Sequence, residues 1–179
     1  MIAGLLLAAG AGRRMGGPKA LVDDWLVRSI AVLRDGGCDD VLVVLGAAAG
    51  VARALLLEEQ QVVVAANWDE GMGASLRAGL EALGPHVEAA VVHLVDLPDV
   101  GADVVSRVVS ASSAGGRSGL ARAAYAGVPG HPVLIGRDHW AGVIEAAVGD
   151  QGAKPYLRSS RVALVECGDL ATGVDTDSR

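Results

Sequence analysis

The sequence predicts an α/β fold, an open and mostly parallel Rossmann-like sheet with helices on both faces. Two observations carry this. Apolar runs at 2–8, 41–45, 62–65, 89–95, 132–135 and 162–165 alternate with amphipathic segments near 24–35, 48–59, 74–83, 103–112, 138–148 and 153–160. Most of the runs show no apolar/polar alternation, which marks strands buried on both faces of a parallel sheet.

Taken in order, the first run leads into a glycine- and arginine-rich loop, and each later run but the last, 162–165, is followed by a helical segment. The run at 89–95 continues into "HLVDLPD" (93–99), which sets Asp96 and Asp99 at its carboxyl end. The stretch "ASSAGGR" (111–117) is the loosest, but it is too short to divide domains. A length of 179 residues suits one full-sized domain, 1–179.

Composition removes several classes of function. With three Trp, two Tyr and no Phe, the core is built from Val, Leu, Ile and Ala. A net charge of −6, with no basic cluster interleaved with aromatics, argues against nucleic acid as a partner. Cys38 and Cys167 stand far apart, and His86, His93, His131 and His139 lack zinc-type spacing. The longest uncharged stretch, 41–52, falls short of the roughly 20 residues that span a bilayer. The arginines near the N-terminus follow the apolar run instead of preceding it, unlike a secretory signal. The expectation is a reducing, cytoplasmic setting.

In open α/β sheets, ligands bind beyond the carboxyl ends of the strands. The loop in "LLLAAGAGRRMGGPKAL" (5–21) and Asp96 are therefore expected to face one crevice. The loop fits neither familiar phosphate motif. Gly10 and Gly12 are followed by Met15 where a dinucleotide fingerprint needs glycine, and the run at 41–45 ends without the acidic residue that binds ribose. Gly12 and Gly17 are followed by Pro18, Lys19 and Ala20, so the magnesium-binding hydroxyl of a P-loop is missing. The residue types still suit a polyphosphate. Glycines let backbone N–H groups approach anionic oxygens, while Arg14 supplies a fork and Lys19 a point charge. The ordinary alternative is a glycine-rich turn with solvated basic side chains.

The segment "LAAGAGRRMGGPK" (7–19) resembles the signature L-A-A-G-x-G-x-R-M-G-x-x-K of nucleotidyltransferases that activate phosphorylated substrates with an NTP. Within that superfamily the chain is most similar to the molybdenum cofactor cytidylyltransferases. It also carries "EGMGASLRAGL" (70–80), "DLP" (96–98), "YAGVPGHPVL" (125–134), "GDQGAKPYL" (149–157) and "VDT" (174–176), in that family's order. The resemblance implies the nucleotide-diphospho-sugar transferase type of fold. It also implies transfer of CMP from CTP to the phosphate of molybdopterin cofactor, with release of pyrophosphate.

By the same resemblance, Leu7, Ala8, Ala9, Gly10, Gly12, Gly71 and Ser75 surround the nucleotide. Arg14 and Lys19 hold the triphosphate, and Asp96 acts with Asp175 on Mg²⁺. His131 and Asp150 line the cofactor-substrate side. Each has a plainer reading: Asp96 or Asp150 as a helix-capping residue, Ser75 as an N-cap, Asp175 as a turn former, His131 as a loop histidine. Asp99 reads as a helix entry and Arg13 as solvent-facing. Ala9 stands where guanylyltransferases of the family resemble one another in carrying glycine, so its methyl favours the smaller pyrimidine base. Transient contact with a molybdenum hydroxylase or its maturation factor is a further implication. Relative to the family pattern, the chain is short of a loop after Lys19 and of a helix after Asp175-Thr176. The competing expectations are the same chemistry with GTP, another small phosphorylated acceptor, or a non-catalytic molybdopterin carrier.

Overall fold

The apolar run at 2–8 becomes β1 (Ile2–Ala8), buried from Ala3 onward, an inner strand of a seven-stranded sheet. The structure, a computed structural model, describes residues 1–176. After β1 come α1 (Trp25–Asp35), β2 (Asp40–Leu45), α2 (Ala49–Arg53), β3 (Gln61–Val64), α3 (Met72–Ala82), β4 (Ala89–Leu94) and α4 (Ala102–Ser112). The remaining elements are β5 (Leu120–Tyr125), β6 (Val128–Gly136), α5 (Trp140–Ala146), α6 (Lys154–Arg158) and β7 (Ala163–Glu166). The strands lie in the order β3-β2-β1-β4-β6-β5-β7.

Alternate side chains of β1 feed two cores. Leu6 and Ala8 join Leu26, Ile30 and Leu33 of α1 and Val104, Val105 and Val108 of α4 on one face. Leu5 and Leu7 join Leu76 and Leu80 of α3 and Trp140 and Val143 of α5 on the other. The lack of alternation in the sequence thus follows from a sheet sandwiched between two helical layers.

β1 pairs in parallel with β2 and with β4, and β2 in parallel with β3. Only β6 runs against its neighbours, antiparallel to both β4 and β5, so the open sheet is mixed but mostly parallel. The reversal is made by a tight hairpin in which Ala126 (φ 50) and Gly127 (φ 78) both take left-handed backbone. Glu166 steadies that turn: its carboxylate accepts the N–H groups of Ala126, Gly127 and Gly168, each at 2.9 Å. These three donors hold its pKa below the ordinary glutamate value.

Two expectations change. β5 is an additional strand, in a segment rich in alanine, a residue of low strand propensity, so its strand character comes from packing. Ala121 and Ala123 are fully buried within the core that α4 shares. α2 is shorter than the 48–59 expected. Leu55 and Leu57 remain exposed, and the Arg53 guanidinium donates to the carbonyls of Leu57 and Glu58 (both 2.8 Å), closing a turn instead of continuing the helix.

His93 is 1% exposed on β4, and its Nδ1 has no hydrogen-bond partner among the described groups. Burial lowers its pKa from 6.5 to about 4. An unfolded chain takes up this proton near pH 6.5 and the folded one only near 4. The stability is therefore full above pH 6.5 and declines as pH falls through that window, by up to roughly 1.4 kcal/mol per pH unit. Urea unfolding at pH 7 and pH 5 should show a fall in stability that is smaller by about 2 kcal/mol in His93→Leu than in wild type. An equal fall in both proteins would remove His93 as the cause.

Candidate active site

The glycine loop leaves the carboxyl end of β1 and folds back on itself at Gly12. The Gly12 carbonyl accepts the N–H groups of Met15 (2.8 Å) and Gly17 (3.2 Å). Gly12 has φ 57, and a Cβ there would lie 1.9 Å from the Gly17 carbonyl oxygen, so no other residue fits. A 3₁₀ turn at Lys19–Leu21 then carries Lys19 across the crevice. Its Nζ meets Asp96 Oδ2 at 2.5 Å, with the two side chains 17% and 14% exposed. Asp96 is there because β4 pairs with β1 as far as Leu7↔Leu94 and ends two residues before it.

A third wall comes from the start of α3. Gly71 has φ 117, and a Cβ there would lie 2.5 Å from Asp150 Oδ1 and 2.6 Å from the Gly149 backbone. The loop at 149–151 thus packs directly on the helix entrance. Ser75 is the fourth residue of α3, 4% exposed, and the N-cap position belongs to Gly71.

Leu7, Ala8, Ala9, Gly10, Gly12, Arg14, Lys19, Gly71, Ser75, Asp96 and Asp150 all line one cleft of about 410 Å³. His131 and Asp175 line a neighbouring cavity of about 230 Å³, which shares a wall of Leu7, Met72 and Leu94 with the cleft. Asp150, assigned from sequence to the cofactor-substrate side, thus lies in the cleft with the glycine loop, apart from His131. Arg13 is exposed at the same cleft. Trp68, Asp69 and Met72 also line it and were not picked out from the sequence. The one signal for them was their adjacency to Gly71.

Asp99 differs from its expected part. Its Oδ2 accepts the backbone N–H (2.7 Å) and the hydroxyl (2.5 Å) of Thr172, which ties the C-terminal segment across the sheet edge. The Thr176 N–H donates to the Asp96 carbonyl at 3.0 Å, so residue 175 stands beside the end of β4.

The second cavity is electrostatically distinct. Burial, with the nearby positive charges of Arg122 and Lys154, lowers the His131 pKa from 6.5 to about 3, so its imidazole is neutral near pH 7. Tyr125 donates its hydroxyl to the His131 carbonyl at 2.6 Å and fixes that loop.

Among the described residues, no three His, Cys, Asp or Glu side chains converge as a ready-made metal cage. The donor set nevertheless fits a magnesium-type ion, which takes one or two carboxylates and completes its shell with water and substrate phosphates. The Lys19 ammonium already shows that a cation is accommodated against Asp96. The arrangement can therefore receive a polyphosphate on the glycine loop, with a cation between it and Asp96.

Residues 4–164 match the model of the MobA-like NTP transferase domain. A nicotine blue oxidoreductase of Paenarthrobacter nicotinovorans is 38% identical, over 99% of this chain and 92% of its own. The crystal structure of Rv0371c from Mycobacterium tuberculosis H37Rv superposes with a TM-score of 0.81 at 30% identity, covering 98% of this chain and 93% of that one. A manganese complex of the same mycobacterial protein superposes with a TM-score of 0.77 at 28% identity, over 98% and 93%. The fold is that of the nucleotide-diphospho-sugar transferases, and the chain belongs to the MobA-like NTP transferase family.

Proposed function

We propose that this protein is an Mg²⁺-dependent cytidylyltransferase that joins CMP from CTP to the phosphate of a molybdopterin-type acceptor. The observation that carries this reading is the 2.5 Å contact of Lys19 with Asp96 across the cleft, which sets a triphosphate-binding cation beside a metal-binding carboxylate. An oxygen of the acceptor phosphate attacks the α-phosphorus of CTP. The new P–O bond forms as the bond to the β-phosphate oxygen breaks, and pyrophosphate leaves with the electron pair. Backbone amides from Ala8 to Gly12 hold the nucleotide, while Arg14 and Lys19 neutralise the charge that builds on the departing pyrophosphate. Asp96 and Asp175 are the residues for the metal, which supplies charge neutralisation on phosphate oxygens when bound.

The base preference rests on Ala9, 3% exposed in the cleft wall, whose methyl leaves less room for a purine. A single methyl is worth about 1–3 kcal/mol of discrimination. The molybdopterin acceptor rests on the Gly-His-Pro motif at His131, which lines the second cavity. On this reading the product serves molybdenum hydroxylases, with transient docking to such an enzyme or its maturation factor. The setting is cytoplasmic, and no helix among the described residues is long and apolar enough to cross a membrane. A second reading is favoured by the 38% identical relative, whose name is that of an oxidoreductase. A reductase on this scaffold would consume an electron donor and release no pyrophosphate.

Thermal unfolding against CTP, GTP, ATP and UTP, each with and without Mg²⁺, tests the base. A ligand at 100 times its Kd adds about 2.7 kcal/mol of stability. CTP with Mg²⁺ should raise Tm clearly and GTP little; a shift with GTP alone reverses the base assignment. With CTP and molybdopterin, Asp96→Asn should lower pyrophosphate release by about 100-fold or more. NADPH oxidation by the wild type in place of pyrophosphate release would select the second reading.

The Lys19–Asp96 pair also predicts an order of binding. A divalent ion must displace the ammonium from Asp96, and a triphosphate draws it away. Mn²⁺, followed by its free-ion paramagnetic resonance signal, should bind wild type weakly alone and tightly with CTP. Lys19→Ala should bind Mn²⁺ alone several-fold more tightly than wild type. Equal affinity of the two proteins would mean that the pair does not gate the metal.

A further inference from the structure

The second cavity contains a cation that the proposed mechanism does not use. Arg122 lies on β5 in a cross-strand row with Val133 of β6 and Val92 of β4. All three side chains line the cavity. Its Nε and Nη2 both donate to the Gly130 carbonyl, at 3.2 and 3.0 Å, which aims the guanidinium and leaves the other N–H donors for something else. Among the described residues no carboxylate forms an ion pair with it. A partly buried guanidinium without a counter-charge is costly to keep, and burial pulls its pKa below the ordinary arginine value.

The rest of the lining narrows what can pair with it. Lys154 adds a second positive charge, and His131 is neutral and contributes no charge. Asp175 is the one carboxylate of the lining, and it is exposed. The walls are apolar, with Val92, Val133 and Leu157 buried. A volume of about 230 Å³ falls below the roughly 300–1,000 Å³ of pockets that take a whole drug-sized ligand. The occupant is therefore compact, apolar over most of its surface, and carries one anionic group. Adjacent strands are about 4.8 Å apart, so the backbone of Arg122 lies about 10 Å from Val92 across the sheet. Asp96 lies four residues beyond Val92, which puts Arg122 at the far side of the cavity from the reacting phosphate.

We infer that Arg122 is a binding residue that grips the anionic group of a compact, mostly apolar ligand in the second cavity. This inference goes beyond the transferase reading and does not rest on it, because it concerns only the cavity's preference for an anionic group. A planar guanidinium fork suits two oxygens of one group, which a lysine would meet only as a point charge.

The test uses the intact protein and two probes of equal shape, 2-naphthoate and neutral 2-naphthalenemethanol, titrated by ligand-observed NMR. Wild type should bind the carboxylate at least tenfold more tightly than the alcohol. Arg122→Met should lose that preference while its Tm still rises with CTP and Mg²⁺ as in wild type. Arg122→Lys keeps the charge without the fork and should lose most of the preference. If Arg122→Met fails to melt cooperatively, the lysine variant decides. Equal binding of the probes to wild type, no binding of 2-naphthoate, or a full preference surviving in Arg122→Lys would each overturn the inference. The expected probe binding in a protein that no nucleotide stabilises would leave this inference standing and remove the transferase reading instead.

Discussion

The site depends on one constraint of chain topology: β1 and β4 are neighbours and run parallel. From β1 the chain steps outward through β2 to β3, and then returns to place β4 on the opposite side of β1. That reversal opens a crevice at the carboxyl ends of two adjacent strands. The residues that follow β1 and those that follow β4 have no other place to go. Lys19 reaches Asp96 because the two segments leave the sheet side by side, although 77 positions separate them.

The surrounding layers turn that proximity into a shaped site. α3 closes the crevice from one face, and Gly71 lets the loop at 149–151 sit against the helix entrance where any side chain would collide. The C-terminal segment walls the neighbouring cavity, tied through Thr172 to Asp99 and through Thr176 to the backbone of Asp96. These tethers act on backbone and short side chains, so they fix position with little conformational freedom to lose. Because β6 is antiparallel to β4, it starts at the crevice end of the sheet, which sets the Gly-His-Pro segment at its beginning there; a parallel strand would have begun at the opposite edge.

Much of this was legible in the sequence because the relevant signals are local. Unbroken apolar runs identified β1 to β4, and the glycine loop with Asp96 identified the crevice. What was not legible depends on tertiary packing. β5 is written in alanines that become strand only between α4 and the neighbouring strands. Leu55 and Leu57 suggested more helix after α2 than the fold can bury. Asp99 looked like a helix entry because its partner, Thr172, is 73 residues away. Arg122 and Trp68 carry no motif at all, and their place in the lining of the two cavities follows only from strand pairing and the α3 entrance.

A fold of this kind constrains chemistry without choosing it. The 38% identical relative bears the name of an oxidoreductase, while the family is that of NTP transferases. The distinguishing feature is what each chemistry requires of the end of β4. Hydride transfer needs a flat cofactor held against a flat acceptor and gains nothing from a carboxylate among phosphates. Phosphoryl transfer needs negative charge relieved on both sides of the breaking bond, by a cation from the loop and by a metal on a carboxylate. Taking Lys19 and Asp96 together out of water carries a desolvation cost that a merely structural contact in an open cleft would not repay. In the proposed reaction each partner of that pair has a second task once substrate arrives: Lys19 with the triphosphate and Asp96 with the metal.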